Sequence, residues 1–393
     1  MEPDLSALDE FLADEDHDGY LIRAGSDDSN QRYLSGFDAP DPFVTLYADD
    51  TTSLLVSGLE YGRATAESRA AEVARLSDYD YRDRVADHGR TEAHHAVVAD
   101  FLADHEVDDV AVPADFPLGL ADGLRERDHT VTPDEDDVIG DIRAIKTDQE
   151  VEHVRTAQRA NEAAMARAES MLADATVEDG LLHLDGEVLT SERITEAIEI
   201  ELLRHGCALD ETIVAAGADG ADPHDRGSGP IPAGELVVID IFPRDKASNY
   251  HADMTRTFCR GTPTDEQRRR YDVTHEAFEA ALDAVEPGAD TTVVDDAVCD
   301  VYEAHDYPTF RVDDAAETGF IHSTGHGVGL DVHEGPSISQ GSDDTLQPGH
   351  MITIEPGLYH PDHGGVRIED LLVVTEDGYE NLTEYPKGLA PES

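Results

Sequence analysis

Apolar positions recur along this chain with two periods, and the change of period marks its elements. Before about residue 140, short apolar runs at 20–24, 43–47, 53–57 and 109–113 read as strands. Around them, apolar residues spaced three and four apart read as helices: near 5–13, after Tyr61, after Thr91 and after the 109–113 run. Strands alternating with helices predict an α/β layer domain over residues 1–140.

From residue 141 the helices are longer and carry start signals. Thr147-x-x-Glu150 is a capping box ahead of a helical pattern that reaches about Leu172. Thr190 or Ser191 caps a second helix ending at Gly206, and Thr264-x-x-Gln267 caps a third that stops at Pro287-Gly288. A fourth spans about 292–305. Strand-like runs lie at 236–242, 252–258, 351–354 and 365–374. The pattern predicts an antiparallel sheet with helices on one side, an α+β domain over residues 141–393.

Composition adds the setting. Of 393 residues, 88 are Asp or Glu and 28 are Lys or Arg, a formal charge of −60. Only Lys146, Lys246 and Lys387 are lysines, and the acid is spread along the whole chain. Such self-repulsion destabilises a compact state in dilute buffer. In ~1 M salt the Debye length falls to ~3 Å and most of the repulsion is screened. A halophilic protein of a high-salt cytoplasm is the expectation. An acidic partner-binding protein would collect its charge in blocks, and nucleic-acid binding is disfavoured because nothing here neutralises phosphates. The opening MEPDLSALDE has no basic start and no apolar run, so no signal peptide is expected, and no run of 18 apolar residues suggests a membrane span. Cys207, Cys259 and Cys299 form no C-x-x-C pair and read as reduced thiols.

The candidate chemistry lies where acids interrupt apolar strand patterns. Asp240 in VVIDIF, Asp253 in HADMTRTF, Glu355 in MITIEPG and Glu369 in GVRIEDLL all do so. Acids are depleted from strands, and a buried carboxylate without a partner is costly. Singly, each is explained by a strand end. Together, and with His326 in GHGVGL, they call for neutralising cations. Four carboxylates carry −4 and two divalent ions +4. An oxygen-rich set with one imidazole suits manganese, cobalt, iron or zinc, and two ions ~3.5–4 Å apart can activate a water and stabilise a scissile carbonyl.

Here the motifs are recognisable. HSTGHGVGLDVHEGP, MITIEPGLY, GGVRIED and the Tyr250-x-x-Asp253-x-Thr-Arg-Thr run resemble the family of Xaa-Pro dipeptidases (prolidases), Xaa-Pro aminopeptidases and methionine aminopeptidases. IRAIKTDQEVEHVR looks like that family's linker and first helix, and RYLSGF like its creatinase-type N-terminal domain. The resemblance implies a pita-bread catalytic domain, a curved antiparallel sheet covered by helices, preceded by a smaller α/β domain. It implies a metallopeptidase that hydrolyses the bond between an N-terminal residue and a following proline by attack of a metal-bridging hydroxide. Two divalent ions, manganese or cobalt first and iron or zinc next, are the implied cofactors, and a homodimer the implied assembly. Asp240 would bind one ion, Asp253 and Glu369 would bridge, and His326 and Glu355 would complete the second. Glu355 would also shuttle the proton, His224 would touch substrate, His333 would stabilise the oxyanion and His322 would line the pocket. Arg367 would support the bridging Glu369.

Three departures from the family pattern stand out. Asp240 and Asp253 are thirteen residues apart, two more than is usual. A longer turn around 244–248 keeps both on one face, because strand side chains alternate with period two. The usual Asp-x-Gly after the first ligand is Asp-Ile-Phe-Pro, which reshapes the pocket near Phe242. The loop SISQGSDDTLQPGH lacks the arginine with which strict dipeptidases hold a substrate's C-terminal carboxylate, leaving Arg226 or Arg311 to supply that charge, or longer peptides as substrates. A methionine-type specificity and a non-catalytic binding module are the other readings. Methionine aminopeptidases generally lack the N-terminal domain, binding modules typically lose ligands, and creatinases lack the metal acids.

Overall fold

The computed structural model describes residues 3–392 and resolves into two compact units, residues 1–143 and 144–393. The first unit is built on six strands in the order Glu72–Arg75, Thr51–Val56, Phe43–Ala48, Gly19–Ala24, Asp109–Pro113 and Thr130–Asp134. Three neighbouring strands pair antiparallel through the centre, and the flanking pairs are parallel. The four apolar runs read from the sequence are all strands here. The outer strands Glu72–Arg75 and Thr130–Asp134 were not anticipated, because exposed and buried residues mix along them. Helix Arg90–Asp104 buries Val97, Val98, Phe101 and Leu102 against Leu21, Leu46 and Val110 of the sheet.

The second unit holds the four expected helices, the first three of them capped: Asp148–Asp174, Ser191–Arg204, Asp265–Ala284 and Thr291–Ala304. Thr147 and Thr264 each close a reciprocal capping box, and Thr190 accepts from Arg193 N at 3.3 Å. Its sheet is antiparallel but broken into segments. Three strands, Thr212–Ala216, Leu236–Ile241 and Met254–Cys259, form one. Five strands form another, in the order Glu334–Ile338, Gly325–Gly327, Met351–Ile354, Asp370–Thr375 and Gly378–Asn381. Gly357–His360 and Gly364–Arg367 make a separate ribbon. A small hairpin group at Thr176–Glu178, Leu181–Leu184 and Glu187–Val188 was not foreseen. Its turns, Asp179-Gly180 and Asp185-Gly186, both have positive φ at both residues, which is what two-residue hairpin turns demand.

Strand alternation decides what faces the helices. Along Leu236–Ile241, Val237, Ile239 and Ile241 pack with Met165, Leu172, Ile194 and Ile198 of two helices. Asp240 therefore points to the opposite face. A second core packs Phe278 and Tyr302 of the other two helices against Ile352, Ile354 and Val366.

The acids read as lying inside strands are placed differently. Only Asp240 is within one. Asp253 stands immediately before Met254–Cys259, Glu355 immediately after Met351–Ile354, and Glu369 in a break between Gly364–Arg367 and Asp370–Thr375. The single strand expected at 365–374 is thus two. The reason is a change of partner: at the break Glu369 N donates to Thr255 O at 3.1 Å, joining the ribbon to the three-stranded sheet. Leaving the ladder at these points turns the carboxylates inward together.

Candidate metal centre and active site

Asp240 and Thr255 are directly opposite each other across an antiparallel pair. Period two then sets Asp253 on the same face, diagonal to Asp240. The longer connection between them is taken up by a turn in which Asp245 N donates to Tyr250 O and Asn249 N to Asp245 O. Both acids, with His326, Glu355 and Glu369, line one cavity of about 580 Å³. His224, Phe242, His322, His333 and Arg367 line it too. The five candidate ligands, the three histidines and Arg367 singled out in the sequence therefore meet at this cavity.

His326 rides on the short strand Gly325–Gly327. A Cβ at Gly325 would stand 2.0 Å from Thr353 O and one at Gly327 1.9 Å from Gly335 O, so only glycine lets the backbones approach this closely. The ring's Nδ1 is 3.1 Å from the carbonyl of Gly327, which can only accept. Nδ1 therefore carries a proton, and Nε2 is the nitrogen aimed at the acids. Nε2 lies 3.2 Å from Glu355 Oε1 and 3.8 Å from Asp253 Oδ2. One ligand atom each from Asp253, His326 and Glu369 lies within 4.8 Å of the others.

The carboxylates show what is missing from the protein's own donors. Asp240 Oδ2 is bound by Arg367 Nη2 at 2.6 Å, and Glu369 Oε2 accepts from Thr255 Oγ1 at 2.8 Å. Asp240 Oδ1, Asp253 Oδ1 and Glu369 Oε1 are buried with no hydrogen-bond partner. Buried acceptors are almost always satisfied. With protein groups alone, burial and then the neighbouring carboxylates push Asp253 well above the usual carboxylate range. Glu369 and Asp240 are pushed up as well, by burial first. Burial would raise Glu355 too, but His326 beside it outweighs that and holds it at about 2. Four acids that cannot all ionise together, three oxygens without donors and one aimed imidazole fit hard divalent cations. None of the three cysteines lines the cavity.

Arg367 was expected to support Glu369. Its guanidinium instead grips Asp240, and it touches Glu369 only through Thr255, donating from Nε to Thr255 Oγ1 at 3.0 Å. Nη1 donates to Tyr359 OH at 3.0 Å and to Pro223 O at 3.3 Å. His322 is 2.7 Å from Ser323 O through Nδ1, so that nitrogen is the donor. Burial holds its pKa down to about 4, so the ring is neutral and Tyr359 OH donates to Nε2 at 3.0 Å. His333 stacks edge-on against His326 with centroids 4.3 Å apart, and burial lowers its pKa. His224 sits on the exposed loop after Pro223. Thr255 and Tyr359 went unnoticed in the sequence. Thr255 was findable, since it follows Asp253 by two and so shares its face; nothing local marks Tyr359.

Residues 152–376 match the metallopeptidase family M24, and residues 5–145 match the creatinase/prolidase N-terminal domain. This chain belongs to metallopeptidase family M24. An Xaa-Pro dipeptidase of Pyrococcus furiosus is 36% identical over 258 residues, covering 65% of this chain and 67% of that one. An Xaa-Pro dipeptidase of Pyrococcus horikoshii is 28% identical over 99% of both chains. The prolidase structure from Pyrococcus horikoshii OT3 superposes with a TM-score of 0.79 at 27% identity, covering 98% of this chain and 99% of that one. As a member of M24 the chain is a metal-dependent hydrolase with the two-domain, pita-bread architecture expected from its motifs. Among the described residues, no helix is long and apolar enough to cross a membrane.

Proposed function

We propose that this M24 member is a dinuclear-metal peptidase that removes an N-terminal residue preceding proline. One observation carries the reading: five residues able to ligate hard cations meet at one cavity, with three buried carboxylate oxygens lacking any partner. End-to-end similarity to an Xaa-Pro dipeptidase supports the choice of bond. Asp240, Asp253, His326, Glu355 and Glu369 would hold two divalent ions, manganese or cobalt for preference. Bound there, the ions would polarise the scissile carbonyl and acidify a water.

The chain's own groups supply the rest. Glu355 takes the proton released by the attacking water and returns it to the leaving nitrogen. Proline's nitrogen carries no hydrogen in the peptide bond and leaves as a secondary amine, so it must receive that proton. Neutral His333 donates to the developing oxyanion. His224 meets the substrate from its loop, while His322, fixed by Ser323 and Tyr359, holds the wall. Arg367 fixes Asp240 through Oδ2 and so aims Oδ1 into the cavity. Ile213, Phe242 and Val332 line the cavity and give a proline ring an apolar wall. The homodimer implied by the family resemblance is part of this reading and is checked by light scattering.

Purified in multimolar KCl and reconstituted with Mn²⁺ or Co²⁺, the protein is expected to cleave Xaa-Pro peptides and to spare matched Xaa-Ala peptides. Equal kcat/KM for both sets would remove the proline specificity. Protein that retains no divalent metal after reconstitution would remove the metal centre.

A further inference from the structure

A dipeptide carries its free carboxylate one residue from the bond that breaks. Binding it brings another negative charge towards a cavity already lined by five acids, Glu211 among them, so a cation must meet it. Arg226 and Arg367 are the arginines among the described residues lining the cavity, and no lysine lines it. Arg367 is buried, and Asp240, Thr255, Tyr359 and Pro223 already occupy its guanidinium. Arg311, the other arginine the sequence left open, lines a neighbouring cavity of about 250 Å³ instead. Asp296 at 2.9 Å, Asp300 at 2.6 Å and Glu303 at 2.8 Å bind it there.

Arg226 is held differently. Its carbonyl accepts from Val214 N at 3.0 Å, which fastens the segment to strand Thr212–Ala216. The next residue, Gly227, has φ +74, and a Cβ there would stand 1.9 Å from Val214 O. The backbone is therefore fixed at the cavity while the side chain is not: it is 46% exposed and paired only with Glu211, itself 59% exposed. Exposed pairs of this kind contribute little, so the guanidinium is free to exchange one carboxylate for another. His224, two residues earlier, lines the same wall.

We propose that Arg226 grips the free C-terminal carboxylate of a dipeptide substrate, with Glu211 holding the guanidinium at the cavity until substrate displaces it. The inference rests on the Xaa-Pro reading above and narrows it to a dipeptidase. A longer peptide presents a neutral amide at this point and gains nothing from Arg226.

The test compares an Xaa-Pro dipeptide with its C-terminal amide in metal-loaded wild-type protein, R226Q, R226K and E211Q. Wild type is expected to favour the free acid by roughly 10- to 100-fold in kcat/KM, the factor that charge-assisted hydrogen bonding supplies. R226Q brings the ratio near one, chiefly through the KM of the acid, at equal metal content. R226K falls between, because a point charge cannot engage both oxygens in a fixed fork. E211Q lowers the KM of the acid. A ratio that R226Q leaves at the wild-type value, or a wild type that prefers the amide, overturns the proposal while the Xaa-Pro reading stands. A wild type that cleaves neither compound overturns that reading and this proposal with it.

Discussion

Glu369 and Asp370 are consecutive, buried and acidic, yet they sit in opposite electrostatic situations. Glu369 faces the cavity with one oxygen on Thr255 and the other unpartnered. Asp370 faces the other side of the same strands, where Arg256 Nη2 at 2.8 Å, Asn381 Nδ2 at 2.6 Å and Lys387 Nζ at 2.5 Å hold it. Arg256 is in turn saturated by the carbonyls of Thr255, Glu369, Tyr385 and Pro386. Alternation along the chain thus sends each member of the pairs Thr255–Arg256 and Glu369–Asp370 to a different face. Burial of an acid therefore says little about metal. The accounting of its partners says much more: one cluster is closed by the protein's own cations, the other is not.

The largest expected consequence separates the clusters by chemistry. Asp253→Asn should remove stoichiometric divalent metal, read by elemental analysis, and lower kcat/KM by about 10,000-fold or more. Retained metal with retained turnover would break the contrast. The second separates them by stability in chelator. Asp370→Ala strands Arg256 and Lys387 and should cost about 3–5 kcal/mol in urea unfolding. Asp253→Asn relieves carboxylate repulsion in the metal-free protein and should cost nothing or stabilise it by about 1 kcal/mol. Losses of similar size in both would mean that the two clusters are alike.

A third test concerns the diffuse charge. Moving from ~2 M to ~0.1 M KCl lengthens the Debye length to ~10 Å, and the unfolding temperature should drop by roughly 5 °C or more. The Asp370→Ala penalty should stay almost the same in both salts, because a buried pair is little screened. An unfolding temperature indifferent to KCl would dismiss the halophilic reading. The smallest effect involves a third buried cation, Lys146, which pairs with Glu334. Burial first, and Lys146 second, hold nearby His350 at about 4, below its usual value. A depressed folded pKa means that the unfolded chain binds the proton more readily. The contribution is therefore full above about pH 6.5 and is lost as pH falls through about 4. His350→Gln should flatten the stability slope across that window by about 1–3 kcal/mol. An unchanged slope would show that His350 titrates normally.

Much of the candidate metal centre was legible because its signals are local. Each acid interrupts an apolar run, and the glycines flanking His326 stand beside it in the sequence. The alternation that puts Asp253 on Asp240's face needs only a count by twos across a turn. The two Asp-Gly turns at 179–180 and 185–186 were equally local and went unused, since the strands they join are short and the first of them is exposed throughout. The break before Asp370 was not legible. Residues 365–374 read as one apolar run, and only the backbone bond from Glu369 to Thr255, 114 positions apart, explains why the strand stops.

Legible in the chain alone were the residues that carry charge into apolar surroundings, the starts of the capped helices, and a cluster of acids in residues 141–393 that calls for multivalent positive charge. Those follow from periodicity, capping chemistry and charge, which are properties of neighbours on the chain. Tertiary structure alone decided that Arg367 serves Asp240, that Arg311 is consumed by three helix acids while Arg226 is left at the cavity, and that Asp370 is closed while Glu369 is open. A carboxylate's partners are chosen by distance in space. The arginines on Asp240 and Asp370 come from segments more than a hundred residues away, which no local pattern encodes.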